Sequence, residues 1–152
     1  MKRYLTSALL CIFIINGAMR SPAGDDEKIS GTWLNQEGTS HIQIFKAANG
    51  SFSGKFYGKI IWLKEPNENG KPKLDKNNPD SKKRSTPLMG LLVLRDFTYD
   101  KDDKEWSGGT IYDPKNGKTY SCFMKLEGTK LNVRGYVGVS LIGRTAVWTR
   151  VK

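Results

Sequence analysis

Histidine and cysteine are nearly missing from this chain: of 152 residues, one is histidine, His41, and two are cysteine, Cys11 and Cys122. So few imidazole and thiolate ligands exclude a side-chain zinc site, and His41 has no sequence cue bringing it near Cys122 or a serine as a catalytic base. Apolar residues at helical spacing are lacking, and so is a glycine loop leading into a helix, which excludes the usual phosphate cradles. Nor are two carboxyls placed to flank a glycosidic bond. Asp25, Asp26 and Glu27 precede the first strand, while Asp100, Asp102, Asp103 and Glu105 crowd a hairpin tip. No enzyme activity, cofactor or metal is expected. The best oxygen cluster, Asp75, Asn77, Asn78 and Asp80, suits loop-stabilising Asx turns better than calcium, because it lacks the bidentate Glu of a calcium loop.

The one sustained apolar run lies at the start. Met1, Lys2 and Arg3 are followed by apolar residues from Tyr4 to Ile15, shorter than the roughly 20 residues of a membrane span. This is the pattern of a secretory signal, with cleavage expected between Ala18 and Ala23, so residues 1–23 are assigned to the signal and 24–152 to one secreted or periplasmic domain. Leu10 is too large for lipoprotein processing at Cys11, and removal of Cys11 leaves Cys122 with no disulfide partner. Losing Lys2, Arg3 and Arg20 takes the 25 basic residues to 22 against 15 acidic ones, a net charge of +7. An exported protein rarely meets nucleic acid, so the expected partner class is an anionic envelope component, such as acidic lipid or glycan, or else no partner for a solvated surface. A monomer is expected.

From Gly31 onward the apolar period is two, with frequent glycine turns. Eight strands are predicted: 31–35, 40–46, 52–63, 88–98, 104–112, 117–127, 130–138 and 143–151. Asp113-Pro114-Lys115-Asn116-Gly117 and Ala48-Asn49-Gly50 read as hairpin turns. Short connections favour a meander, and eight meandering strands remove their edges by closing. The fold class is thus all-β, a small eight-stranded antiparallel up-and-down barrel with one long loop. Alternation puts Phe56, Gly58, Ile60 and Trp62 on one face, with Phe56 and Trp62 expected to face the core.

The long connection, 64–87, carries Pro66, Pro72, Pro79 and Pro87, which favour an ordered segment. It is expected to cover one mouth of the barrel and to present Lys71, Lys73, Lys76, Lys82, Lys83 and Arg84 as a positive rim for an anionic partner. Trp33, Phe56, Trp62, Trp106, Tyr112, Tyr120 and Trp148 are the aromatic candidates for lining a pocket for a small apolar or amphipathic ligand. They suit a filled barrel equally, since eight strands enclose little more than a side-chain core or one small ligand.

Gly31-Thr32-Trp33 resembles the Gly-x-Trp opening of lipocalin-type barrels. Five further segments run through the chain: Gly58-Lys59-Ile60-Ile61-Trp62-Leu63; Asp75 with Asn78-Pro79; Pro87-Leu88-Met89-Gly90-Leu91; Trp106 to Gly109 with Ile111-Tyr112-Asp113-Pro114; and Leu131 to Gly138 with Gly143-Arg144-Thr145 and Trp148. Together they resemble a bacterial family of secreted, lipocalin-like proteins, domain of unknown function 2147. The resemblance implies a signal peptide and a calycin-like barrel, and no particular activity. The Thr-Asp-Tyr motif of true lipocalins is absent, Thr98-Tyr99-Asp100 having another order. The lipocalin-like start and Arg-rich last strand lead to a structural expectation around Gly31. First and last strands should pair, with the guanidinium of Arg144 or Arg150 covering Trp33.

Overall fold

A computed structural model describes residues 24–152, so the expected signal and cleavage site lie outside the described residues. Ten strands form: β1 (Gly31–Leu34), β2 (Ser40–Lys46), β3 (Phe56–Leu63), β4 (Asn67–Glu68), β5 (Lys71–Pro72), β6 (Leu92–Asp100), β7 (Glu105–Asp113), β8 (Lys118–Glu127), β9 (Lys130–Tyr136) and β10 (Gly143–Arg150). All but β4 and β5 join one closed antiparallel barrel in the order β1-β10-β9-β8-β7-β6-β3-β2. Each barrel strand pairs with its sequence neighbours, and β1 closes the ring against β10 with Trp33 opposite Arg150.

The turns explain the meander. Around Asn116-Gly117 both the Asn116 and Gly117 amides donate to the Asp113 carbonyl, and Gly117 takes φ 70°. A side chain at Gly117 would also collide with the Asn77 carbonyl, its Cβ only 1.9 Å away. Two predicted strands begin late. Residues 50–52 form a short 3-10 turn, which leaves Phe52 exposed and starts β3 at Phe56. Gly90 at φ 86°, with Leu91 donating to the Leu88 carbonyl, holds 88–91 in a turn before β6.

Bulges re-aim several side chains. Between β2 and β3, His41 faces Trp62 while Ile42 faces Ile60, so Ile61 is an extra residue and the alternation of β3 reverses after it. Trp62 therefore points outward, 39% exposed, and stacks on His41 with ring centroids 4.3 Å apart. The expectation that Trp62 faces the core is overturned by this inserted residue.

The two ends of the barrel differ. The end reached by the β2–β3, β6–β7 and β8–β9 connections is filled by Trp33, Phe56, Phe97, Trp106, Met124 and Leu131, all essentially buried. The 3-10 turn Asp25–Ile29 lies beneath them as a plug. Trp33 Nε1 donates to the Ile29 carbonyl at 2.8 Å and Trp106 Nε1 to the Asp26 carbonyl at 2.9 Å. Arg150 covers the Trp33 ring, its Cζ 4.2 Å from the centroid, and donates to the Ser30 and Lys28 carbonyls. An Arg contact on Trp33 thus comes from Arg150, and Arg144 sits at the opposite end of β10.

Candidate functional site

Along β2, β9 and β10 the inward side chains shrink toward the opposite end. In β9 they run Leu131, Val133, Gly135; in β10, Trp148, Ala146; in β2, Ile44, Ile42, Ser40. The result is a cup of about 600 Å³ inside the barrel, open at the end bearing the 35–39, 64–91, 114–117 and 137–142 connections. This lies within the roughly 300–1,000 Å³ of small-molecule sites. Neither the filled barrel nor a wholly hollow one describes the interior, because one half is packed and the other is vacant space.

The floor of the cup is apolar. Ile42, Ile60, Val93, Val133 and Trp148 line it and are nearly buried, with Ile111 and Ala146 beside them. Polar groups gather at the rim: Asn35, Gln36, Glu37, Tyr112, Lys115, Asn116, Tyr120 and Arg144. Several are already engaged. Lys115 pairs with Glu37 at 2.5 Å, Asn116 donates to the Tyr120 hydroxyl at 3.0 Å, and Gln36 accepts from the Val147 amide at 2.8 Å. Arg144 is exposed at the lip and forms no ion pair within 4.0 Å among the described residues.

Of the seven aromatic candidates, Tyr112, Tyr120 and Trp148 line the cup. Trp33, Phe56 and Trp106 are packed into the closed end and cannot reach it, and Trp62 is on the outer wall. The aliphatic residues that form most of the floor were not among the candidates. Their signal was the large-to-small taper along β2, β9 and β10, which becomes readable only once the strands are in register.

The long connection flanks the mouth and does not cover it: no residue of 64–87 lines the cup, and only Leu88 at its end does. Its anchor is Asp75, fully buried, which accepts from the Tyr112 hydroxyl at 2.7 Å and from Asn78 Nδ2 at 2.7 Å. Burial, together with this bond to a carboxylate, pushes the Tyr112 hydroxyl up to about 12. Asn77 Nδ2 donates to the Pro114 and Lys115 carbonyls, tying the segment to the β7–β8 turn. Asn78 and Asp80 make Asx turns, accepting from the amides of Asp80 and Lys82. Among the described residues no cluster of three or more His, Cys, Asp or Glu is arranged to hold a metal ion.

The positive rim is partly neutralised. Lys73 pairs with Glu65 at 3.3 Å, Lys76 with Glu68, and Lys83 with Asp80 at 3.6 Å, while Arg84 Nε donates to the Asn78 carbonyl. Lys71 and Lys82 have no such partner among the described residues. Cys122 is buried in the middle layer, facing Gly109 and Gly135 on its neighbouring strands, and burial pushes its thiol up to about 12. That environment is the opposite of a reactive thiolate's.

The family model described as "Uncharacterized protein conserved in bacteria (DUF2147)" matches residues 31–150. Among solved structures, the chain is similar to a Helicobacter pylori protein described in the words "Protein HP1028 from the human pathogen Helicobacter pylori belongs to the lipocalin family". Identity is 25%, the TM-score is 0.69, and the match covers 82% of this chain and 84% of that one. Among curated proteins none matches this chain in sequence.

Proposed function

We propose, from the premise that this chain belongs to the DUF2147 family of bacterial proteins, that it is an exported, monomeric lipocalin-like barrel that holds one small apolar or amphipathic molecule in its cup. The observation that carries this reading is the cavity of about 600 Å³ with an apolar floor and a polar rim at a single open end. That polarity gradient favours a molecule with a hydrocarbon part and a polar head. The hydrocarbon enters first, each methylene taken from water contributing about 0.8 kcal/mol. The head stays at the lip, where the Arg144 guanidinium and the Tyr112 and Tyr120 side chains face it. The proposed role is binding alone, and burial, which pushes the Cys122 thiol up to about 12, keeps that residue from acting as a thiolate.

The test is uptake of an environment-sensitive apolar dye, displaced by straight-chain fatty acids, in the native protein and in Val133→Trp. Val133 lies on the floor, so a larger side chain there grows into the vacant half of the barrel. Saturable, displaceable uptake that Val133→Trp abolishes, with its folded circular-dichroism spectrum kept, is the expected result. Absence of uptake, or equal uptake by the blocked variant, refutes the reading.

A further inference from the structure

Beside the mouth, the β9–β10 connection, residues 137–142, has the sequence Val-Gly-Val-Ser-Leu-Ile and exposes most of its apolar surface. Val137 is 64% exposed, Val139 59%, Leu141 87% and Ile142 68%. Val137 and Ile142 also line the cup, so the apolar loop adjoins the cavity.

The loop is ordered by its own polar groups. Val137 N donates to the Ile142 carbonyl and Ile142 N to the Val139 carbonyl. Arg134 reaches up from β9: its Nε donates to the Ser140 carbonyl at 2.9 Å, Nη2 to the Leu141 carbonyl at 3.4 Å and Nη1 to Thr145 Oγ1 at 3.0 Å. Carbonyls at the tip are thus satisfied internally while the side chains stay bare. The amides of residues 138–141 have no such partner among the described residues, so the tip suits the headgroup–acyl boundary, where apolar side chains insert while water still reaches the backbone.

Charge is distributed to match. The open-end connections, 35–39, 64–91, 114–117 and 137–142, hold eight basic residues against five acidic, one of which is the buried Asp75. The closed-end segments, 24–30, 47–55, 101–104, 128–129 and 151–152, hold five of each. Arg144 adds a further cation at the lip. Of the two ends of the barrel, the one that carries the apolar loop is therefore the more positive.

We propose that the 137–142 loop is a membrane-docking tip. It enters the interface of an anionic bilayer, with the basic groups of the open end resting on the headgroups and the mouth of the cup turned toward the lipid. A bilayer fits better than a second copy of this chain, which would bring two like-charged open ends together. Docking needs no ligand in the cup, so its failure and the failure of the binding reading are separable.

The test is cosedimentation of the full mature protein with phosphatidylglycerol-containing and with pure phosphatidylcholine vesicles at low and high salt. It is repeated for the double variant Leu141→Asp with Ile142→Asp, and sedimentation without lipid reports self-association. The expected result is binding to the anionic vesicles that weakens with salt and falls about tenfold or more in the double variant, whose thermal melt stays native. In addition, Leu141→Trp should shift its emission to shorter wavelength on those vesicles. No vesicle binding, or binding indifferent to the double variant, overturns the proposal. So does concentration-dependent dimerisation that the double variant abolishes in the absence of vesicle binding, which would assign the tip to a second copy.

Discussion

Replacing Arg150 by Met tests how the barrel is closed. The guanidinium lies 4.2 Å from the Trp33 ring centroid and also donates to two carbonyls of the N-terminal plug, Ser30 at 2.9 Å and Lys28 at 2.5 Å. An exposed cation–π contact contributes about 0.5–1 kcal/mol, and a charge-assisted hydrogen bond at a solvent-accessible site about 1 kcal/mol after screening. Arg150→Met should therefore destabilise by about 2–3 kcal/mol. Trp33→Leu, which empties part of a fully buried site and breaks the bond to the Ile29 carbonyl, should cost about 2–4 kcal/mol. In a double-mutant cycle measured by urea unfolding, the two should couple by about 0.5–1 kcal/mol, the share belonging to the ring–guanidinium contact. Arg144→Met, at the far end of the same strand, should not couple with Trp33. Strict additivity of Arg150→Met and Trp33→Leu would show that the stack does not hold the closed end together.

Asp75→Ala removes the acceptor for the Tyr112 hydroxyl and Asn78 and should release the long connection from the barrel wall. Trypsin should then cut faster after Lys82, Lys83 or Arg84, with a stability loss of about 1–3 kcal/mol. The Tyr57 and Tyr112 hydroxyls are raised from 10.0 to about 12 by burial and by bonds to Asp96 and Asp75. Their stabilisation is complete below pH 10 and is lost as pH rises from 10 to 12, so denaturant midpoints should fall across that window while tyrosinate absorbance lags free tyrosine. Cys122, buried and likewise raised to about 12, should resist alkylation at neutral pH and react at a rate that follows unfolding.

Closure of eight strands was readable from period-two alternation and tight turns, because each Gly or Asn-Gly pair marks where the chain reverses. The direction of individual side chains was less readable. Trp62 fits the inward pattern of Phe56 and Ile60, and only the extra residue at Ile61 turns it out. A bulge of this kind is set by the mismatch between two strands, which neither sequence contains alone. Similarly, Gly108 at φ 72° sits where the β7–β8 register shifts, placing Gly109 and Ile111 inward after Trp106. The aromatic candidates mixed both ends of the barrel for the same reason. Aromatic content is a sum over the chain, whereas the cup arises from a gradient along it, with Trp33, Phe56 and Trp106 at one end and Ser40, Gly135 and Ala146 at the other. The docking loop had a plain signature, a run of apolar residues in a connection. The predicted strand 130–138 takes in the loop's first two residues, whereas β9 stops at Tyr136.

Occupancy of the cup is read most directly from Trp148. Of the four tryptophans, Trp148 alone lines the cavity, Trp33 and Trp106 are sealed in the closed end, and Trp62 lies on the outer wall. Bromine on an acyl chain quenches indole emission only near contact, so titration with a brominated fatty acid reports which tryptophan the chain touches. Saturable quenching in the native protein that Trp148→Phe removes is the predicted result. Quenching that survives Trp148→Phe, or none in the native protein, would contradict a ligand held inside the barrel.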